Sequence, residues 1–131
     1  MNNWTRALVG LAIFSTLQFT ACVKEKELSP LTCQLETAGE QFTEESIDVV
    51  YTLEAQGNYT VESFYYYDES GKVTINNPQI PSSITITLSS QKIMQAGASA
   101  SVTEGIVQIG FIAQSNLNVY ESGDLCQQTK H

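Results

Sequence analysis

Histidine is almost absent from this chain of 131 residues, and its single copy is the terminal residue His131. A serine or cysteine nucleophile usually needs histidine as its base, so the chain lacks the centre of such a site. It also contains no GxSxG, Walker A or GxGxxG motif. Acidic pairs occur at Glu44-Glu45 and Asp68-Glu69, but adjacent strand residues point to opposite faces and do not flank one substrate. We therefore predict that the protein is not an enzyme and has no cofactor.

Basic residues are also scarce. Six lysines and arginines stand against 14 acidic residues, which gives a formal net charge of −8 at neutral pH. Nucleic acid and anionic lipid headgroups would repel such a chain, so both are poor partners. Acidic side chains in turns can supply oxygen ligands to calcium, but no EF-hand spacing is present and we predict no metal site. These acidic turn residues are Asp68, Glu69, Glu121 and Asp124.

The longest apolar run lies at the N-terminus, where Arg6 precedes residues 7–19. This run is interrupted by polar residues and is shorter than the roughly 18–20 apolar residues of a spanning helix. It ends in Thr20-Ala21-Cys22, small residues before a cysteine, as at the end of a secretory signal peptide. An uncleaved transmembrane anchor and an ordinary signal peptide cleaved after Ala21 are the alternatives.

Residues 1–22 resemble the signal of a bacterial lipoprotein, with Phe19 where leucine is usual. The resemblance implies a signal peptide at 1–21, cleavage before Cys22 and acylation of the Cys22 thiol. Residues 22–30 then form a flexible tether, since alternating charges and a proline leave no apolar face to bury. The charged residues 24–27 resemble the surface-export signal of Bacteroidota lipoproteins, which implies the outer membrane. A plain spacer is the alternative, and cell surface and periplasm both stay open.

Residues 31–131 suffice for one domain. Apolar and polar residues alternate in several short stretches, which predicts strands that bury one face. These stretches are 47–54, 59–67, 73–75, 84–88, 107–114 and a last one from Val119, with a weak strand near a sheet edge at 96–102. Turns are predicted at Gly57-Asn58, 68–71 and 121–124. The fold class is therefore all-β, a sandwich of about seven strands, with an eight-stranded barrel as competitor.

The remaining cysteines form an even pair once Cys22 is assigned to the anchor. In an oxidising compartment, Cys33 and Cys126 predict a structural disulfide. Closing so long a loop would stabilise the domain by roughly 4–5 kcal/mol in the chain-entropy model. Zinc is the alternative, but two cysteines without histidine partners make a poor zinc site.

A set of turn and strand positions between residues 47 and 126 carries a family resemblance. The positions are Val50-Tyr51, Gly57, Val61, Tyr65, 68–71, Ile80-Pro81, 106–112 and Ser122-Gly123-Asp124 before Cys126. They resemble the soluble part of MmpS-type membrane proteins and related small lipoproteins. Ser82 departs from the tryptophan common in that family, and residues 106–112 lack its usual cysteine. The resemblance implies an immunoglobulin-like sandwich and a role beside transporters that export lipids or siderophores.

The most suggestive binding feature is the run Phe-Tyr-Tyr-Tyr at 64–67. Consecutive strand residues face opposite ways, so two of these rings should enter the core and two should face outward. Phe64 and Tyr66 lie at the same alternate positions as the polar residues Thr60 and Glu62, which should face solvent. We therefore predict that Phe64 and Tyr66 face outward as a possible binding patch. Cover by another strand, or plain cross-strand packing, is the alternative.

These features together predict a non-enzymatic, lipid-anchored envelope protein that acts as an interaction or accessory module. Its contacts would be the membrane, through the anchor, and a protein, glycan or lipid partner. Two alternatives stay open. One is a lipid- or ligand-handling accessory of an envelope exporter, and the other is a periplasmic inhibitor or immunity protein.

Overall fold

The computed structural model describes residues 28–129, and every regular element in that range is a β-strand. The eight strands are β1 (Leu31–Glu36), β2 (Glu40–Gln41), β3 (Ser46–Asp68), β4 (Gly71–Asn76), β5 (Ser82–Ser89), β6 (Ile93–Met94), β7 (Ala96–Gln114) and β8 (Val119–Gln128). All of their pairings are antiparallel. The all-β prediction is therefore confirmed. The predicted signal peptide, Cys22 and His131 lie outside the described residues.

The frame of the fold is a ribbon of two long strands, β3 and β7, which pair along most of their lengths. On its other side, the first half of β3 pairs with β5 and the second half with β4. The first half of β7 pairs with β1 and the second half with β8. Two layers result, which we call layer I (β5-β3-β7-β8) and layer II (β4-β3-β7-β1). Among residues 28–129, the short strands β2 and β6 pair only with each other.

Both long strands pass from one layer to the other at a sharp corner, where Gly57 stands opposite Gly105. Gly57 has a φ of 86°, a left-handed value that suits glycine. A Cβ atom on Gly57 would lie 2.7 Å from the Cα of Gly105, so the close approach also requires glycine. A register shift follows between Asn58 and Tyr59 and sharpens the bend. The predicted turn at Gly57-Asn58 is therefore wrong, since the glycine bends a continuous strand.

Two further predicted boundaries fall inside continuous strands. Residues 96–102 form the first half of β7, in the middle of layer II and not near its edge. Their small side chains are needed there because Ala98 lies opposite the bulky, fully buried Phe64. The predicted turn at 121–124 is also wrong, because these residues pair one by one with 109–112 of β7.

The core lies between the inner faces of the two layers. The alternation predicted for residues 47–53 of β3 and 107–113 of β7 is confirmed, since the inward-facing residues there are at most 4% exposed; examples are Val49, Tyr51, Leu53, Val107 and Ile109. The Tyr51 ring of layer I packs against Tyr66 of layer II, with centroids 5.3 Å apart. Its hydroxyl donates to the carbonyl of Tyr67 at 2.8 Å. Burial raises the pKa of Tyr51 to about 12. Side chains from both layers thus fill the space between them, as in a sandwich.

The strands β1 and β8 lie side by side at one edge of the sandwich, which we call the stapled edge. Cys33 and Cys126 are at disulfide distance there, with Cα atoms 6.2 Å apart, as the sequence predicts. Two β8 side chains also bond to the backbone at the end of β1. Asp124 accepts the N–H of Glu36 at 3.0 Å, and Ser122 accepts the N–H two residues further along at 2.9 Å. Covalent and hydrogen-bonded links therefore join the two layers at this edge.

The strands β4 and β5 form the opposite edge. The connection between them contains the cis Ile80-Pro81 bond and carries the chain from layer II to layer I. Glu69, in the turn after β3, accepts a hydrogen bond from the Ser89 hydroxyl at 2.9 Å. No described strand pairs with the outer side of β5, so we call β5 the open edge.

The layers establish a small β-sandwich and leave the finer topology open. In an immunoglobulin constant domain the strands divide between two separate sheets, whereas here β3 and β7 serve both layers. An immunoglobulin-like classification therefore stays a proposal. Within residues 28–129 no helix has the length and apolar character needed to cross a membrane.

Candidate interaction surface

The predicted outward patch of Phe64 and Tyr66 is wrong. Phe64 is fully buried, and the half-buried Tyr66 packs against the core with its ring centroid 6.1 Å from that of Phe64. The register between β3 and β7 shifts between Val61 and Ser63, which leaves Glu62 as an extra residue. One extra residue sends every later side chain of the strand to the opposite face. Parity counted from residues before this bulge therefore assigns the aromatic rings to the wrong sides.

Tyr65 and Tyr67 occupy the outer face of layer II instead. Tyr65 lies over Gly97 of β7, where any Cβ atom would collide with its ring. The Lys72 Nζ is 4.0 Å from the centre of the Tyr65 ring, and the Tyr67 ring meets it edge-on at 6.2 Å. Burial, together with Glu36, raises the pKa of Tyr65. The Tyr65 ring is thus held between a glycine and a cation, which makes it part of the packed sheet surface.

The chain enters the domain at the corner, which we call the proximal end. Gln128 Nε2 donates to the carbonyl of Ser29 at 2.8 Å and to the carbonyl of Thr103 at 2.7 Å. These bonds fix the start of the domain beside Gly105. A polar groove of about 540 Å³ opens next to Pro30 at this end.

The opposite, distal end gathers the loops of both layers. It contains residues 42–45 before β3 and the connections 69–70, 90–92 and 115–118. Residues 105–114 of β7 run from the corner to this end, a distance of about 30 Å at the usual strand rise. The bond between Glu69 and Ser89 joins the 69–70 connection to the end of β5, directly before the 90–92 connection. The loops therefore form one surface, far from where the chain enters.

A hydrogen-bonded cluster fixes Glu44 at the distal end. The Tyr120 hydroxyl donates to Oε1 at 2.8 Å, and Asn118 Nδ2 donates to Oε2 at 3.3 Å. Hydrogen bonds from Ser115 first, and then from Tyr120, lower the pKa of Glu44 to about 2 against the opposing effect of desolvation. A carboxylate held ionised in this way accepts hydrogen bonds and is unsuited to proton donation near neutral pH. The cluster joins the loop before β3 to the turn between β7 and β8.

Large apolar side chains are exposed beside this cluster. Leu117 at the tip of the turn is 87% exposed, Val119 is 58% exposed and Ile112 is 38% exposed. Ile112 lies opposite Val50 of β3 on the outer face of layer I. We call these four residues the distal strip. Sequence reasoning missed the distal strip, although Val50 and Ile112 each interrupt a series of non-apolar residues at the outward-facing positions of their strands.

A shallow groove continues from the distal strip across layer I. Gly110 of β7 stands opposite Gly123 of β8, so neither contributes a side chain to this face. The resulting groove has a volume of about 310 Å³ and runs between Thr52, Ile112 and Glu121. Its lining combines apolar and polar groups.

The acidic turn residues do not converge on one point. Asp68 accepts the N–H of Ser70 at 2.8 Å, while Glu69 and Asp124 bond to β5 and β1 respectively. Glu121 lies opposite Ile112 on the outer face of layer I. Between residues 28 and 129 no three metal-ligating side chains come together.

No protein-family model matches this chain, and no curated protein or solved structure matches it. The predicted lipidation residue, Cys22, precedes the residues that the structure describes. Residues and geometry alone therefore carry the functional interpretation.

Proposed function

We propose that the protein is a non-enzymatic envelope lipoprotein, anchored to the outer membrane through acylated Cys22, whose distal end binds a protein partner. One observation carries the proposal: the chain enters at the proximal end, while the distal strip lies at the other end. Pro30 follows Cys22 by eight positions, a tether that spans at most about 29 Å when fully extended. Such a short tether keeps the proximal end near the membrane and turns the distal end away from it.

The distal strip has the chemistry of a protein-binding surface. Protein interfaces combine an apolar centre with a polar rim, and exposed large side chains supply most of the buried area. Leu117 and Val119 offer such a centre, and the ionised Glu44 with Asn118 offers polar groups beside it. The hydrogen bonds around Glu44 hold the turn at residues 115–118 in place before binding, which reduces the conformational entropy that is lost when a partner binds.

The anchor is tested by the substitution Cys22→Ala in the full chain. We expect the wild type to partition with the membrane fraction and the variant to be released from it. Val23→Ala changes the adjacent residue without removing a thiol and should behave like the wild type. A Cys22→Ala protein that stays in the membrane fraction contradicts the anchor.

The side of the membrane is tested by protease treatment of intact and permeabilised cells, followed by immunoblotting. Loss from intact cells would place the distal end outside the cell and favour adhesion or capture of external molecules. Protection until permeabilisation would place it in the periplasm and favour a transporter accessory or an enzyme inhibitor.

The distal contact is tested by placing a photo-crosslinking residue at Leu117 in living cells. We expect a crosslinked product there and none with the crosslinker at Tyr59, which is 37% exposed near the proximal end. Leu117→Asp should abolish partner binding, because a charge would enter the apolar centre. Equal crosslinking at both positions would contradict a distal binding surface.

Ligand handling beside an exporter is a second candidate, favoured by the groove over Gly110 and Gly123. Its volume of about 310 Å³ lies at the lower limit of small-molecule sites, which span about 300–1,000 Å³. The MmpS resemblance implies this role, and binding of a fluorescent lipid dye would support it. Gly123→Val should then reduce dye binding by filling the groove, whereas Thr85→Val on the same face should leave it unchanged.

A further inference from the structure

The strand at the open edge, β5, is unusual among the outer strands because it carries no charge. Its sequence is SSITITLS, with neither proline nor glycine. Natural proteins usually protect an edge strand with charges, prolines or bulges, since its free backbone groups invite another strand. The other outer strands each contain a charged residue: Glu36 in β1, Lys72 in β4, and Glu121 and Asp124 in β8. The least protected edge is therefore β5.

Backbone hydrogen-bonding groups of β5 point away from the sandwich. The N–H of Ser90 donates to the carbonyl of Glu45 at 2.8 Å, and the register with β3 continues from there without a shift. Antiparallel residues bond to the neighbouring strand alternately, so the N–H and C=O groups of Ser83, Thr85 and Thr87 are directed outward. In the part of the chain that the structure describes, β5 pairs with β3 alone.

The inner face of β5 is also incompletely covered. Ile84 and Ile86 face the core side, yet both are only half-buried, whereas Leu88 at the end of the strand is fully buried. Thr85 and Thr87 on the other face are exposed. An added strand would therefore complete both the hydrogen-bond ladder and the cover over the two isoleucines.

We propose that two copies of this chain pair antiparallel through β5, about a two-fold axis at Thr85. In this register Thr85 faces Thr85 of the second copy, and Ser83 faces the second copy's Thr87. Each facing pair exchanges both of its backbone hydrogen bonds. Ile84 then lies beside the second copy's Ile86 on the core side, so the contact is self-complementary, as a two-fold interface requires.

Charge directs a contact between two copies to this edge. With a net charge of −8, two copies repel each other over most of their surfaces. The paired β5 strands place no charged side chains opposite each other. Glu69 bonds to Ser89 at the end of β5, four residues from the axis, and Asp48 of β3 accepts a hydrogen bond from Thr87 at 2.6 Å. The second copy's Asp48 would lie three strand spacings away, roughly 14 Å, which exceeds the screening length of about 8 Å.

The test uses the full chain in mild detergent, with mass measured by sedimentation velocity over a range of concentrations. We expect the wild type to form a dimer. Thr85→Lys and Thr85→Glu should each weaken dimerisation by about tenfold or more, because like charges would face each other at the axis. A mixture of the two variants should restore a dimer, because opposite charges then meet. Thr74→Lys, the same change on the exposed outer side of β4, should dimerise like the wild type.

Four results would overturn the proposal. The first is a wild type that stays monomeric up to about 1 mM, a concentration at which even millimolar affinity would give a measurable dimer. The second is an equal loss of dimer in the Thr74→Lys control. The third is failure of the mixed variants to pair, which would exclude the axis at Thr85. The fourth is a monomer that binds an uncharged peptide of alternating valine and threonine, which would assign the edge to a foreign strand.

Discussion

The two edges of this sandwich differ in how far they are cross-linked within the chain. At the stapled edge, Cys33 and Cys126 lie at disulfide distance, and Asp124 and Ser122 bond to the backbone at the end of β1. At the open edge, β5 bonds to β3 on one side and shows uncharged backbone groups on the other. The first edge is cross-linked within the chain, whereas the second leaves the outward donors and acceptors of Ser83, Thr85 and Thr87 for another strand.

The difference assigns stability and association to separate parts of the molecule. Cross-links between layers raise the free energy of unfolding but occupy the groups that a partner strand would need. Among the described residues the open edge has no covalent link, and its hydrogen bond from Ser89 to Glu69 lies at the end of β5. This edge therefore contributes less to folding, and the middle of β5 is free to pair. Variants at the stapled edge should therefore change unfolding, and variants at the open edge should change assembly.

Removing the cysteine pair should have the largest effect on stability. The double substitution Cys33→Ser with Cys126→Ser opens a bridge between residues 93 positions apart, which should lower the free energy of unfolding by roughly 4–5 kcal/mol. That is a large fraction of the 5–15 kcal/mol typical of a domain. Urea unfolding followed by circular dichroism measures it.

Reduction of the wild type provides the matched control, because it removes the same bond without changing a side chain. Reduced wild type and the double variant should unfold at similar urea concentrations. Full reaction of the unreduced, unfolded chain with a thiol reagent at both positions would show that no bridge had formed.

The features that sequence predicted are those that local pattern determines. Alternation of apolar and polar residues identified the buried faces of β5, of the first half of β3 and of the second half of β7, because side-chain direction in a strand repeats every two residues. The even cysteine pair predicted which two segments meet, because an exported chain tends to pair its remaining cysteines. Both inferences need only neighbouring residues or residue counts.

The features that sequence did not predict depend on pairing between distant residues. Glu62 is extra only relative to β7, so no local pattern reveals that it reverses the directions of Phe64 and Tyr66. Gly57 resembles a turn residue until Gly105 is known to face it across the ribbon. Likewise, the distal strip exists because Val50 and Ile112 are paired neighbours, 62 residues apart in the chain.

The hydrogen bond of Asp124 offers a smaller test of the same comparison. Asp124→Ala removes the acceptor for the N–H of Glu36 and should cost about 1 kcal/mol of unfolding free energy. Both bonds are solvent-exposed, but Thr87→Val keeps a β-branched side chain in the strand and leaves Asp48 free to bond to water. It should therefore change the free energy of unfolding by less than about 0.5 kcal/mol. Chemical denaturation measures the free energy of unfolding of both variants. An equal loss of free energy in Asp124→Ala and Thr87→Val would contradict a difference in stability between the two edges.

The Glu44 cluster should add a pH dependence to the β8 side of the molecule. The pKa of the Glu44 carboxyl group in the folded protein is about 2, below the ordinary 4.5, so ionised Glu44 stabilises the fold. This contribution is present above about pH 4.5 and is lost as the pH falls towards about 2. The difference in unfolding free energy between the wild type and Glu44→Gln should therefore shrink over that interval.

The adjacent Glu45→Gln supplies the control for this titration, since the hydrogen bonds from Tyr120 and Asn118 go to Glu44. NMR titration of the Glu44 carboxyl carbon gives an independent measurement. A midpoint near 4.5 would show that the cluster does not hold the carboxylate.

The smallest effect on stability should come from the substitution with the largest effect on assembly. Thr85 is exposed, its backbone groups point away from β3, and its side chain makes no hydrogen bond to the described residues, so Thr85→Lys removes no hydrogen bond within one copy. Measured at a concentration where the wild type is also monomeric, the change in unfolding free energy should stay within about 0.5 kcal/mol. Above the dimerisation concentration the wild type should gain stability and the variant should not, because association stabilises only the folded state. A variant destabilised equally at both concentrations would mean that the open edge serves folding, and the division between the two edges would then fail.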